Sequence, residues 1–129
     1  MTTPRSSIEQ LVEIEALEVL ESLGLATRII PVSRHNHSTQ DVAGLATFSS
    51  PFLKGQLLML ANFSFYANTL PKNIVNARVL SPECSADWLL VRDWAAELCN
   101  LLMSRVKVVL HAHDVKVTST PPRALSGDP

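Results

Sequence analysis

Only two cysteines, Cys84 and Cys99, occur in 129 residues, too few for a disulfide framework. They fit a reducing compartment, and both are expected as free thiols. An excess of one charge is also missing: 11 basic against 12 acidic residues leave a net charge of -1. With Lys and Arg dispersed, the chain has no electrostatic footprint for a phosphate backbone, which excludes a direct nucleic-acid binder. No stretch approaches the ~18 uninterrupted apolar residues of a membrane helix, and Met1 to Ser7 lacks the apolar run of a secretory signal. The chain therefore reads as cytoplasmic, with no membrane insertion. What is present, 47% hydrophobic residues in this length, fits one soluble globular domain over residues 1–129, with 1–5 and 120–129 flexible or extended.

The longest stretch free of Gly and Pro that carries a clear period runs from Ala86 to Leu110. Val91, Trp94, Ala95, Leu98, Leu102, Val106 and Val109 recur at the 3- and 4-residue intervals of an amphipathic helix, so this stripe faces a core. At roughly 100° per residue, Asp93, Glu97, Asn100, Ser104 and Lys107 gather within a sector of about 80° on the other side. A helix that needs only solubility can scatter its charges more widely.

Around this helix the chain divides by its local signals. Ser6 or Ser7 can cap a first helix, with Glu9 or Gln10 three residues on, and Gly24 is its natural stop; Glu15 interrupts the apolar period. Ala26 to Val32 reads as a short or edge strand because of Pro31, and Ser33 to Gln40 as a loop. Val42 to Ser49 and Gly55 to Asn62 form a hairpin pair, expected at the sheet centre, the second strand unalternating and so covered on both faces. Phe63 to Leu70 reads as a short helix ended by Pro71, and Asn73 to Leu80 as irregular or a helical turn. Ser85 is the candidate cap of the long helix. A turn at His111 to Asp114 leads to a strand over Val115 to Thr118 and a frayed or extended tail from Ser119. The order predicts an α+β fold, a two-layer domain with helices packed on a mostly antiparallel sheet.

Asp93, Glu97 and Asn100 form an Asp-x-x-x-Glu-x-x-Asn pattern. With Leu98, Lys107 and Leu110, the Val-x-Val of Val115 to Val117 and the prolines Pro121 and Pro122, the segment resembles the CheX/CheC family of chemotaxis proteins, which has relatives in the flagellar switch. The likeness runs from Ala16–Leu20 to Gly127, and it implies a phosphatase acting on the aspartyl phosphate of a CheY-like receiver domain. By that resemblance Glu97 and Asn100 are catalytic: Asn100 holds the attacking water and Glu97 engages the receiver's active-site lysine, while Asp93 has a supporting role. The magnesium ion belongs to the receiver partner, and no cofactor is expected on this chain. The first helix has Glu15, Glu18 and Glu21 but no Asn between Ser6 and Gly24, so one site per chain is expected. Met103-Ser104-Arg105 stands where relatives commonly place a Gly. Relatives also continue through further strands, which the chain lacks after Pro129; a homodimer through sheet edges is the expected remedy.

Other readings stay open. The polar face is also what a plain solvated surface helix presents, and Arg92 and Lys107 read as solvated. A non-catalytic receiver-binding or flagellar-switch-like interaction module uses the same helix without turnover, and an assembly subunit uses an open sheet edge. A metal site built from His35-x-His37 and His111-x-His113-Asp114 is the rival chemistry, but no Cys stands at metal spacing from them. Trp88, Trp94 and Phe63 read as packing residues, and Cys99 as a small buried filler.

Overall fold

The computed structural model describes residues 7–25, 27, 39–51, 54–71 and 79–126. Helix α1 (Ser7–Ser22) begins and ends close to where its local signals place it. Gly24 adopts φ 82°, so the Leu25 N–H reaches the Leu20 carbonyl (3.1 Å) and the Gly24 N–H the Glu21 carbonyl (2.9 Å), the pair of bonds that closes a helix end. Glu15 is buried rather than a surface interruption. Its carboxylate lies 3.6 Å from the Arg105 guanidinium, which also hydrogen-bonds Glu18, so charge fastens α1 to the long helix beside the buried Val19.

Strands β1 (Asp41–Ser49) and β2 (Lys54–Asn62) form the expected hairpin, antiparallel from Asp41↔Asn62 to Ser49↔Lys54. The sheet centre, however, is β1 alone. On its other edge lie β3 (Thr118–Ser119) and β4 (Arg123–Ser126), both antiparallel to it. The unbroken apolar run of β2 does not mean two covered faces either. Leu57 is buried and Met59 and Ala61 pack on the core, whereas Leu58 points the other way and is 53% exposed.

Phe63 continues directly from β2 into helix α2 (Phe63–Thr69), capped by the Asn62 side chain accepting from the Phe65 N–H at 2.9 Å. The expected strand at 26–32 and the irregular stretch at 73–80 lie mostly outside the described residues. Helix α3 (Ser85–Ala112) is 28 residues and so about 42 Å long. Ser85 is its first helical residue and not its cap; the N-cap is Cys84, whose side chain makes no capping bond. The entry is held instead by the buried Asp87, which accepts from the Ser81 N–H (2.8 Å), and by the Trp88 indole N–H donating to the Pro82 carbonyl. An acid in the first turn also suits the helix dipole.

At the far end α3 outruns its expected stop by two residues. Asp114, at φ 62°, takes the left-handed position usually given to Gly, with Val115 N–H bonded to the Leu110 carbonyl (2.9 Å) and Asp114 N–H to the His111 carbonyl (3.0 Å). Because this closure uses the Val115 N–H, strand pairing starts only at Thr118, later than the expected Val115. The tail beyond it is extended, as one of its two expected forms allows, but residues 123–126 are not frayed: they pair with Val42–Leu45. Between β3 and β4 the register shifts by one, so Ala46 and Thr47 oppose Thr120, Pro121 and Pro122. This is a β-bulge, at prolines that have no N–H to give a ladder.

The core lies between the sheet and the helices. Val91, Ala95, Leu98, Cys99, Leu102, Met103 and Val106 of α3 meet Val42 and Ala46 of β1, Leu57 of β2, Phe63 and Tyr66 of α2 and Val19 of α1. The apolar stripe read from the sequence is thus the buried one, except that Trp94 and Val109 are half-buried. Trp94 spans the α2–α3 junction, its indole N–H donating to Thr69 Oγ1 at 2.9 Å.

Candidate functional site

Asp93, Glu97, Asn100 and Ser104 are exposed on α3, opposite the buried stripe. A 3-residue spacing puts Glu97 and Asn100 one turn apart on one face. Both line an open groove of about 450 Å³ together with Ala96 of the same helix and Ser119, Thr120, Pro121 and Pro122. Asp93, a turn earlier, shares the face but is not part of the groove lining.

The second wall of the groove is the bulge between β3 and β4. Thr120 anchors it to β1: its N–H donates to the Thr47 carbonyl (2.9 Å), and its Oγ1 accepts from the Thr47 N–H (3.2 Å). Lys107, expected to be solvated, is half-buried and donates from Nζ to Ser119 Oγ at 3.2 Å, tying the helix to the same wall. Arg92 is half-buried as well, its Nε shielded from water without a hydrogen bond among the described residues. Sequence reasoning missed the wall, although the Pro121–Pro122 doublet was its visible signal. It also missed that Leu89, Leu101 and Val108 are exposed, at 60%, 42% and 69%. Leu101 and Val108 fall within about 40° of Glu97 around the helix, so acidic, amide and apolar groups share one outward surface.

Beneath this surface Cys99 and Tyr66 are fully buried. Both cysteines are free thiols, as expected. Burial pushes the Cys99 thiol up to about 11, and its Sγ lies 3.8 Å from the Leu57 carbonyl oxygen. Tyr66, whose hydroxyl donates to the Met59 carbonyl at 2.5 Å, is pushed well above the usual phenol range by burial, with a smaller contribution from Cys99. In both cases the folded state keeps its proton to higher pH than the unfolded chain does. The stability that these two groups contribute is therefore fully present below about pH 9 and is lost as pH rises beyond it. Thermal melts between pH 8 and pH 11 should show that decline. At pH 8 a thiol reagent should label half-buried Cys84 but spare Cys99 until the protein is denatured; equal labelling of both in the native protein would contradict the burial of Cys99.

Chemically, a carboxylate and an amide side by side can engage and orient a group delivered by another molecule. Among the described residues no cluster of three or more His, Cys, Asp or Glu is placed to hold a metal ion. His111 and His113 are exposed at the end of α3, while His35 and His37 lie outside the described residues. No helix among the described residues is long and apolar enough to cross a membrane.

By sequence, no protein-family model and no curated protein matches the chain. Solved structures do match its fold. The chemotaxis protein CheX from Vibrio vulnificus superposes with a TM-score of 0.72 at 16% identity, over 98% of this chain and 78% of that one. A CheC-like superfamily protein from Shewanella sp. PV-4 gives 0.70 at 18% identity, over 96% and 79%. A CheX–CheY–BeF3–Mg2+ complex from Borrelia burgdorferi gives 0.71 at 16% identity, over 95% and 79%. The fold is thus the α+β arrangement that these solved structures have, with helices packed on an antiparallel sheet.

Proposed function

We propose that this chain is a phosphatase acting on the aspartyl phosphate of a CheY-like receiver domain in chemotaxis or two-component signalling. The observation that carries the reading is the exposed Glu97–Asn100 pair lining an open groove on a helix otherwise seated in the core. One of the similar chains is seen together with CheY, BeF3 and Mg2+, which makes a receiver the partner of choice. Hydrolysis requires a water placed in line with phosphorus; the water oxygen bonds to phosphorus, the bond to the aspartyl oxygen breaks, and phosphate and free carboxylate result. Asn100 holds that water through its side-chain amide, bringing less repulsion to a phosphoryl group than a second carboxylate would. Glu97 engages the receiver's active-site lysine, and Asp93 supports the pair from one turn away. Magnesium is held by the receiver, and this chain supplies no cofactor.

Exposed Leu89, Leu101 and Val108 flank the pair and give a partner apolar surface to cover. The test is the decay of phosphorylated receivers with and without this chain and with its Glu97→Ala/Asn100→Ala double variant. Acceleration lost in the variant supports the phosphatase. Receivers that bind while their decay stays unchanged would instead make α3 the recognition surface of a flagellar-switch-like module. The proposal includes a homodimer joined at sheet edges, for which the outer edge of β2, unpaired among the described residues, is available. A monomer by light scattering at high concentration would remove it.

A further inference from the structure

From the contact between α3 and β1 we infer that Gly44 is a positioning residue of the Glu97–Asn100 groove, an inference that rests on the phosphatase reading for its kinetic consequence. A glycine in mid-strand gives the ladder nothing to pack and costs backbone entropy, so its presence at the centre of β1 calls for a close approach. The approach is there. A Cβ at position 44 would overlap the Ala95 carbonyl oxygen and come to 2.6 Å from Cys99 Cβ. Ala95 and Cys99 are both fully buried, and they bracket the helical turn that carries Glu97, with Asn100 the next residue. The helix can come this close only because residue 44 has no side chain.

The opposite wall of the groove takes its position from the same strand. Gly44 pairs with Ala124 and Leu45 with Arg123, while Thr47 holds Thr120 by main-chain and side-chain bonds. Helix wall and bulge wall are therefore both referenced to β1, one stacked on its face and the other hydrogen-bonded along its edge. The width of the groove depends on how deeply α3 seats over Gly44. A carbon at 2.6 Å must retreat by roughly 1 Å to reach ordinary contact, and the obstacle includes backbone, which does not swing away as a side-chain tip does. Lifting α3 there moves Glu97 and Asn100 away from Ser119–Pro122, and a misplacement of that size is enough to spoil the line of attack of a held water.

The test compares three full-length variants under conditions where circular dichroism shows each to be folded. Gly44→Ala crowds the seat from the strand. Cys99→Val crowds it from the helix and decides the matter if the first variant does not fold. Val106→Ala loosens α3 two turns further on without pressing on the seat, and serves as a destabilised control. With a phosphorylated receiver, the two crowded variants should lose about 10- to 100-fold in kcat with receiver binding little changed, whereas Val106→Ala keeps its kcat. Crystal structures should show the crowded grooves widened between Asn100 and Pro121. Wild-type kcat in a folded crowded variant, or equal rate losses in all three, overturns the positioning role. If the wild-type chain accelerates no receiver, the phosphatase reading falls and the crystal structures judge this inference alone: a groove of unchanged width overturns it, and a widened one supports it.

Discussion

Asn100→Ala should abolish most of the acceleration of receiver dephosphorylation, on the order of a 100-fold loss in kcat, while leaving receiver binding nearly intact. Asn100 is exposed, so truncating it opens no cavity and breaks no described core contact; its effect on stability should stay within about 0.5 kcal/mol. In the proposed reaction its amide holds a water that exists as a nucleophile only at the moment of transfer, and such a loss appears in kcat and not in KM. Glu97→Ala should behave differently. A carboxylate engaging the receiver's lysine contributes to the bound complex as well, so KM should rise along with the fall in kcat. An Asn100→Ala variant that turns over at the wild-type rate would remove the amide from the mechanism, and with it the central element of the phosphatase reading.

Phe63→Ala should cost the fold about 3–5 kcal/mol, among the largest effects of any single truncation here. Phe63 is 2% exposed at the exact point where β2 passes into α2, and its ring meets Trp88 edge-on with centroids 4.9 Å apart. Its N–H also donates to the Gln40 carbonyl at 2.8 Å, but that bond survives the substitution, so the cost is packing. Against a typical domain stability of about 5–15 kcal/mol the loss is large, and the melting temperature should fall by roughly 10 °C or more. Urea unfolding monitored by tryptophan emission measures it. A cost below about 1 kcal/mol would mean that α2 does not brace the start of α3 through this ring.

Legibility in the sequence differed by kind of feature. The helix of Asp93, Glu97 and Asn100 was readable because a 3.6-residue period with no Gly or Pro is local information; most of its buried stripe followed from side-chain chemistry, whereas exposed Leu89, Leu101 and Val108 and half-buried Lys107 did not. The hairpin was readable for a similar reason, since its strands are joined by a short connection. The place of β2 was not. An unbroken Leu-Leu-Met-Leu run looks the same whether a strand is central or peripheral, and only pairing partners distinguish the cases. Ser85 looked like a cap because Ser usually is one, but the loop at Ser81 and Pro82 returns to Asp87 and Trp88 and holds the helix start by hydrogen bonds between residues six apart in sequence. Glu15 likewise looked like an interruption until Arg105, 90 positions on, faced it.

The same division runs through the candidate site. Its chemical groups, a carboxylate and an amide one turn apart on a solvated face, were determined by residue spacing on a helix, as was the apolar stripe; the two free thiols followed from the cysteine count. That these groups line a groove was decided by tertiary structure. Ser119 to Pro122 lie some 20 residues further along, and they reach Glu97 and Asn100 because α3 closes at a left-handed Asp114 and the chain returns antiparallel to β1. Period and capping act within a few residues, where the chain's own geometry dictates the outcome. The wall of the groove, the tether from Lys107 to Ser119 and the seat at Gly44 depend on which distant segments meet, and that is settled only when the whole apolar surface is buried at once.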